Sequence, residues 1–360
     1  MSYKKLTDAQ GNNVRLVFAN PTQTQVKQAL VSAVQDGSIV VSSNTGGTLS
    51  HASLSDDWKA NAETAYAAML AEMQLYGNDA VPFFIQTDLH GRNNDPARWL
   101  NNKDGRVKNL NLGDIVVDYF SDSAGDAYRT SALPVQNLIT VYGNHEAYTL
   151  NAENATEYGL TYYYTDTTTS GRRQPSRRGY FVSYDDVYNV KYLVVCPYYM
   201  SNDGTREDTG ILTDQMTWLL RELSLDDGYD IVMLMHQLWT DTHYHRDGTL
   251  QSWTDAPTVL ENLWTVLKDR RNKRSGTITD SSGVEHSYDF TACTSRILCS
   301  LHGHSHEELM LSEDGMTAYS ADWYGDNNSC VFGIIDRVNN KLKIWEFKTT
   351  GVSNLLELEI

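Results

Sequence analysis

Apolar residues in this chain recur as short continuous runs separated by longer amphipathic stretches. Val81-Pro82-Phe83-Phe84-Ile85, Leu138-Ile139-Thr140-Val141-Tyr142, Ile231-Val232-Met233-Leu234-Met235 and Ile297-Leu298-Cys299-Ser300-Leu301 are such runs. Runs of this length predict strands covered on both faces. Helical patterns lie between them. Ser55 or Asp56 is placed to cap a helix whose apolar side is Trp58, Ala62, Ala65, Ala68, Met69, Met73 and Leu75, and Gly77-Asn78-Asp79 stops it. Thr213 to Leu223 and Pro257 to Arg271 predict two more helices, the second with Val259, Leu260, Leu263, Trp264 and Leu267 on its apolar side. Alternation of strand and helix predicts an α/β protein. Towards the end the pattern becomes strand-like: Cys330 to Asp336 and Lys341 to Phe347 flank a short polar turn and predict a hairpin. Ser275 to Phe290 predicts another, turning at Ser281-Ser282-Gly283.

Residues 1–52 break from this pattern. They are rich in Asn, Gln, Thr, Ser and Gly, with two strand-like runs, Val14 to Phe18 and Ser38 to Val41. Ser42 to Thr48 reads as a flexible linker. The expected organisation is an N-terminal polar appendage or arm over 1–52 and a main domain over 53–360. The arm suits attachment to a protein partner; an arm with no part in the chemistry fits the same composition.

Composition narrows the function classes. With 360 residues and 41% hydrophobic content the chain can bury a sizeable core. A formal net charge of −17 disfavours a grip on extended nucleic acid, which relies on clustered Lys and Arg. A small phosphate ester is not excluded, because bound dications add positive charge that the count omits. No apolar run is long enough to span a bilayer, and Met1 to Lys5 lead into polar sequence rather than a signal core. A cytoplasmic location with no membrane partner is therefore expected. Cys196, Cys293, Cys299 and Cys330 lack metal-finger spacing and read as buried thiols.

Candidate chemistry collects in five motifs, most of them directly after an apolar run: Asp88-Leu89-His90, Gly113-Asp114, Gly143-Asn144-His145-Glu146, His236, and Gly303-His304-Ser305-His306. No clear strand precedes Asp114. The donors are carboxylate, carboxamide and imidazole, a set suited to borderline and hard divalent ions. Asp88 and His90 are two apart and can converge on one ion where a strand opens into a loop. Asp114 has two oxygens and can bridge two ions. His304 and His306 can reach adjacent ions or one. His302, His243, His245 and His286 read as structural or surface histidines.

The order of these motifs resembles the calcineurin-like metallophosphoesterase superfamily, over roughly residues 81 to 350. The resemblance implies a four-layer α-β-β-α sandwich with two mixed sheets, here with the small N-terminal appendage. It implies two divalent metal ions, with Mn, Fe or Zn as the leading choices. One would take Asp88, His90, Asp114 and His306; the other would take Asp114, Asn144, His236 and His304. The implied activity is hydrolysis of a phosphomonoester or phosphodiester by a metal-bridging hydroxide, with His145 as general acid. Where many members carry a carboxylate three after the Gly-Asp aspartate, this chain has Val117 followed by Asp118. Asp118 and Glu146 are thus the two candidates to orient His145. Val117 also stands where purple acid phosphatases place a tyrosine ligand, so a ferric–tyrosinate centre is not expected. The basic stretch holding Arg172, Arg173, Arg177 and Arg178 is a candidate for gripping phosphate, and only Lys268 to Arg274 matches its basic density. Two other readings fit the same sequence: a binding or structural module of a larger phage-like or surface assembly, and a nuclease acting on short substrates.

Overall fold

The computed structural model describes residues 53–115, 137–147, 179–200, 207–252 and 256–360, with His51, the strand pair Leu6–Thr7 and Val40–Val41, and the single positions Ala132 and Val135. Val14 to Phe18, Val117, Asp118 and the four arginines between 172 and 178 lie outside the described residues. The chain divides into two compact units, Met1–Leu49 and Ser50–Ile360. In the first, Leu6–Thr7 pairs antiparallel with Val40–Val41.

The second unit is a mixed α/β structure with two large sheets. A seven-stranded sheet runs in the order Gly351–Val352, Lys341–Lys348, Cys330–Asp336, Ala80–Gln86, Lys108–Asn111 and Leu138–Thr140, with Leu356–Glu359 also paired to Lys341–Lys348. Its Ala80–Gln86, Lys108–Asn111 and Leu138–Thr140 strands are parallel neighbours. An eight-stranded sheet is centred on Val190–Val194, Asp230–Leu234, Ile297–His302 and Met316–Ser320, parallel in that order. The hairpins Cys330–Asp336/Lys341–Lys348 and Ser275–Thr279/Glu285–Asp289 form as the alternating pattern predicts.

Side chains alternate across each strand, so adjacent residues enter different cores. Val81, Phe83 and Ile85 share one core with Tyr192, Val194, Val232, Leu234 and Leu301 of the other sheet. The two sheets therefore pack face to face. Phe84 points the other way, with Phe332 5.1 Å and Phe347 6.4 Å away between ring centres. That face is covered by helix Asp56–Tyr76, whose Trp58 and Tyr66 pack on Phe347 (5.1 Å) and Phe332 (5.6 Å). On the far side of the eight-stranded sheet, Ile231, Met233 and Met235 pack with Met216, Leu219 and Leu223 of helix Thr213–Ser224, and with Leu260, Leu263 and Leu267 of helix Thr258–Arg271. These contacts give the order helix, sheet, sheet, helices.

Helix Asp56–Tyr76 begins where the capping signal places it: Ser55 Oγ accepts from Trp58 N at 3.1 Å. It ends at Gly77, whose N–H still reaches back to Met73 O while its positive φ of 56° turns the following chain out of the helix. Leu75, assigned to the apolar side, is instead 71% exposed, because the buried face ends at Met69. All four cysteines are buried free thiols. Among the described residues, no helix is long and apolar enough to cross a membrane.

His243 differs from its expected surface placement. It lies buried within strand Thr242–Tyr244, and neither ring nitrogen has a hydrogen-bond partner. Burial lowers its pKa to about 4, against a weaker upward pull from Glu313. The folded value lies below the unfolded value of about 6.5. Its contribution to stability is thus intact above about pH 6.5 and is lost as pH falls towards the folded value. Urea unfolding should show wild type losing about 2 kcal/mol more than His243→Leu between pH 7 and pH 5. Equal losses in the two proteins would contradict this.

Candidate metal centre

Five strand ends from the two sheets deliver the site. Asp88 follows Ala80–Gln86, Asp114 follows Lys108–Asn111, Asn144 follows Leu138–Thr140, His236 follows Asp230–Leu234, and His304 follows Ile297–His302. Asp114 thus does have a strand before it. Its residues are Lys-Asn-Leu-Asn, polar yet fully buried, so no apolar run marked it. Lys108 is tolerated there because its Nζ reaches Asp185 Oδ2 at 3.4 Å.

Backbone hydrogen bonds lace the loops together beyond the strands. Asp88 N donates to Gly113 O (2.9 Å), His90 N to Asp114 O (2.9 Å) and Gly303 N to His236 O (3.2 Å). Glycine permits this closeness. A Cβ on Gly143 would lie 2.0 Å from Asp114 Oδ1, and one on Gly303 would lie 2.0 Å from Thr87 Oγ1. Asp88, His90, Asp114, His304 and His306 all have positive φ, between 43° and 69°. Such conformations are strained for residues with a Cβ and gather at functional sites.

The result is two overlapping donor groups. Asp88, His90, Asp114 and His306 each offer an atom within 4.8 Å of the others, and Asp114, His236 and His304 do the same. Asp114 belongs to both. Its Oδ2 lies 3.2 Å from His236 Nε2, and its Oδ1 accepts from His145 N at 3.1 Å. Asp88 Oδ1 lies 3.2 Å from His306 Nε2 and 3.9 Å from His236 Nε2. His90 Nε2 is 3.2 Å from His306 Nε2, and His304 Nδ1 is 3.3 Å from His236 Nε2.

Two further observations fit a bound cation. Asp88 Oδ1 and Asn144 Oδ1 are buried without a hydrogen bond, a costly state that a metal ion would relieve. His236 Nδ1 donates to Leu112 O at 2.6 Å, which leaves Nε2 to face the carboxylates. Burial opposes charge on His236, but Asp114 and then Asp88 outweigh it and raise its pKa to about 10. Asp114 is held well below the usual carboxylate range; its burial works the other way, and His236 and His145 overcome it. Without a cation, these carboxylates hold a proton on a fully buried imidazole.

Other residues fall into place around this cluster. His145 has its Nε2 3.7 Å from Asp114 Oδ2 and its ring 4.9 Å from that of His90, edge to face. Glu146 accepts from Ile115 N (2.7 Å) and Gly143 N (2.8 Å), so it pins two of the metal-bearing loops to each other. His302 is structural: its Nδ1 donates to Gln237 O (2.7 Å), and Ser300 Oγ lies 2.7 Å from its Nε2. Trp239 packs into the core, donating to Ser300 Oγ, and does not line the site. Trp323 had no motif to mark it. Its ring stacks on His306 at 4.3 Å and 2°, and Tyr324 N and Gly325 N tie its turn to Thr87 O and Asp88 O. Its position three residues past strand Met316–Ser320, another parallel strand end, was the available signal.

No family profile and no curated protein matches the chain. Solved structures similar to it include a Streptococcus pneumoniae protein described as a predicted phosphoesterase (10% identity, 78% of this chain and 98% of that one, TM-score 0.35). They also include PhoD (10% identity, 76% and 71% covered, TM-score 0.46) and a phosphopantetheinyl hydrolase from Mycobacterium tuberculosis (15% identity, 68% and 91% covered, TM-score 0.37). At such scores nothing about the site transfers from them. The chain itself is an α/β protein of two mixed sheets with an Asp/His cluster able to hold metal ions.

Gly143→Ala should weaken Mn²⁺ binding by about 10- to 100-fold, because its methyl group would displace Asp114. Titration calorimetry would measure this, with urea unfolding of the metal-free variant as the check that the fold persists. Equal affinity in Gly143→Ala and wild type would show that Asp114 does not ligate.

Proposed function

We propose that the protein is a metal-dependent phosphoesterase acting on a small phosphomonoester or phosphodiester. The observation that carries this reading is the sharing of Asp114 between two donor groups that surround buried, unsatisfied oxygens. Asp88, His90, Asp114 and His306 would hold one divalent cation, and Asp114, Asn144, His236 and His304 a second. When bound, such a pair supplies Lewis acidity towards a phosphoryl oxygen and lowers the pKa of water towards neutrality. Manganese, iron and zinc all suit this donor set.

The chain's own groups do the rest. Leu112 O fixes the His236 tautomer and aims Nε2 inward. Trp323 backs one side of the His306 ring, and the side chain remains 39% exposed. His145 is partly open to solvent, with its backbone anchored to Asp114. It would give a proton to the leaving oxygen, a role worth about 10² to 10⁴ in rate.

Chelator treatment should abolish hydrolysis of p-nitrophenyl phosphate and its bis ester, and Mn²⁺ should restore it. Full activity in a sample shown metal-free by elemental analysis would reject the mechanism. His145→Ala should lower kcat by about 10² to 10⁴ while metal content stays unchanged. Undiminished turnover in that variant would remove the acid role from His145.

A further inference from the structure

The basic segment Lys268 to Arg274 has no part in the metal centre. It helps to form a separate cavity of about 180 Å³, lined by Arg270, Arg271, Lys273, Thr294, Ser295 and Arg296. This cavity lies at the start of strand Ile297–His302, whereas His304 follows its other end. Six residues of strand separate the two by about 20 Å.

The positive charge here exceeds its counter-charge. Asp230 is engaged by Arg296 (2.7 Å) and by Arg337 (3.5 Å). Arg270 is buried and donates to neutral acceptors: Leu223 O at 2.7 Å, Ser295 O at 2.9 Å and Ser295 Oγ at 2.8 Å. Arg271 donates to Ile297 O at 2.9 Å. Among the described residues, no carboxylate lies within 4.0 Å of either guanidinium or of Lys273. Two further acids lie nearby: Asp226 accepts from Thr294 N, Thr294 Oγ1 and Ser295 N, and Asp269 accepts from Tyr288 and pairs with Arg274 at 3.7 Å. Burial, and after it the like charge of Arg296, lowers the pKa of Arg271. The C-terminal end of helix Thr258–Arg271 offsets part of this charge, though only over its last turn. Unpaired guanidinium N–H groups beside hydroxyls in a small concavity are the means by which proteins hold phosphate oxygens.

We infer that this cavity binds a tetrahedral oxyanion of the phosphate class, either free phosphate or the terminal group of a phosphomonoester, at a site separate from the metal centre. Arg271, Lys273 and Arg296 supply the charge, and the hydroxyl of Ser295, which only accepts from Arg270, supplies a neutral donor.

The test uses the full chain stripped of metal, so its outcome does not depend on the phosphoesterase reading. Titration calorimetry at matched ionic strength compares inorganic phosphate, AMP and chloride. Saturable binding of phosphate, absent with chloride, is expected, and Arg271→Gln/Lys273→Gln should weaken it by about tenfold or more. AMP binding with the same sensitivity would assign the site to terminal phosphates; phosphate binding alone would assign it to the free ion. No saturable binding of either, or binding unchanged in a double variant that keeps wild-type unfolding behaviour, would overturn the inference. The cations would then serve only the helix end.

Discussion

Two carboxylates, Asp88 and Asp114, are buried side by side where strand ends of both sheets meet. Burying charge is expensive unless compensating charge comes with it. Everything around the pair answers that demand. Five imidazoles lean inward, Thr87 and the His304 amide donate to Asp88, and the His145 amide donates to Asp114. Even so, Asp88 Oδ1 and Asn144 Oδ1 stay unsatisfied. The cluster is short of positive charge, and a divalent cation supplies more of it per unit volume than a proton on His236.

Gathering these donors has a conformational cost. Five of the seven candidate ligands adopt left-handed backbone, at about 1–3 kcal/mol each for residues other than glycine. The rigidity that enforces this comes from the cores behind the site. Phe83, Val232 and Leu301 fill the space between the sheets, while Phe84, Phe332 and Phe347 lock the outer helix to one of them. Loop-to-loop backbone hydrogen bonds and the Glu146 clamp carry that rigidity the last few ångströms. Glycines at 113, 143 and 303 contribute by leaving out side chains that would occupy the ligands' own space.

Charge is also distributed along the strands. Strand Ile297–His302 begins at a cluster of arginines and ends at the metal-type donors. In a chain with a net charge of −17, positive groups left unpaired at one end are as unusual as buried carboxylates at the other. The two ends share the core between them, but each has its own local electrostatic balance.

The central strands, the three long helices and both hairpins could be read from the chain because each has a local signature: a run of apolar residues, a helical period, a capping serine or a turn. The donor motifs were legible for the same reason, each being a few residues long. Strand Lys108–Asn111 was not, since its residues are mostly polar and its buried Lys108 finds its partner, Asp185, only in a distant segment. Nor was buried His243, the Trp323 stack on His306, or the loop-pinning role of Glu146. Local sequence determines which segments are strands and which side chains could bind a cation. Which donors converge, in what conformation and with what charge left unbalanced is decided by long-range packing, because those energies depend on distances between residues far apart in the chain.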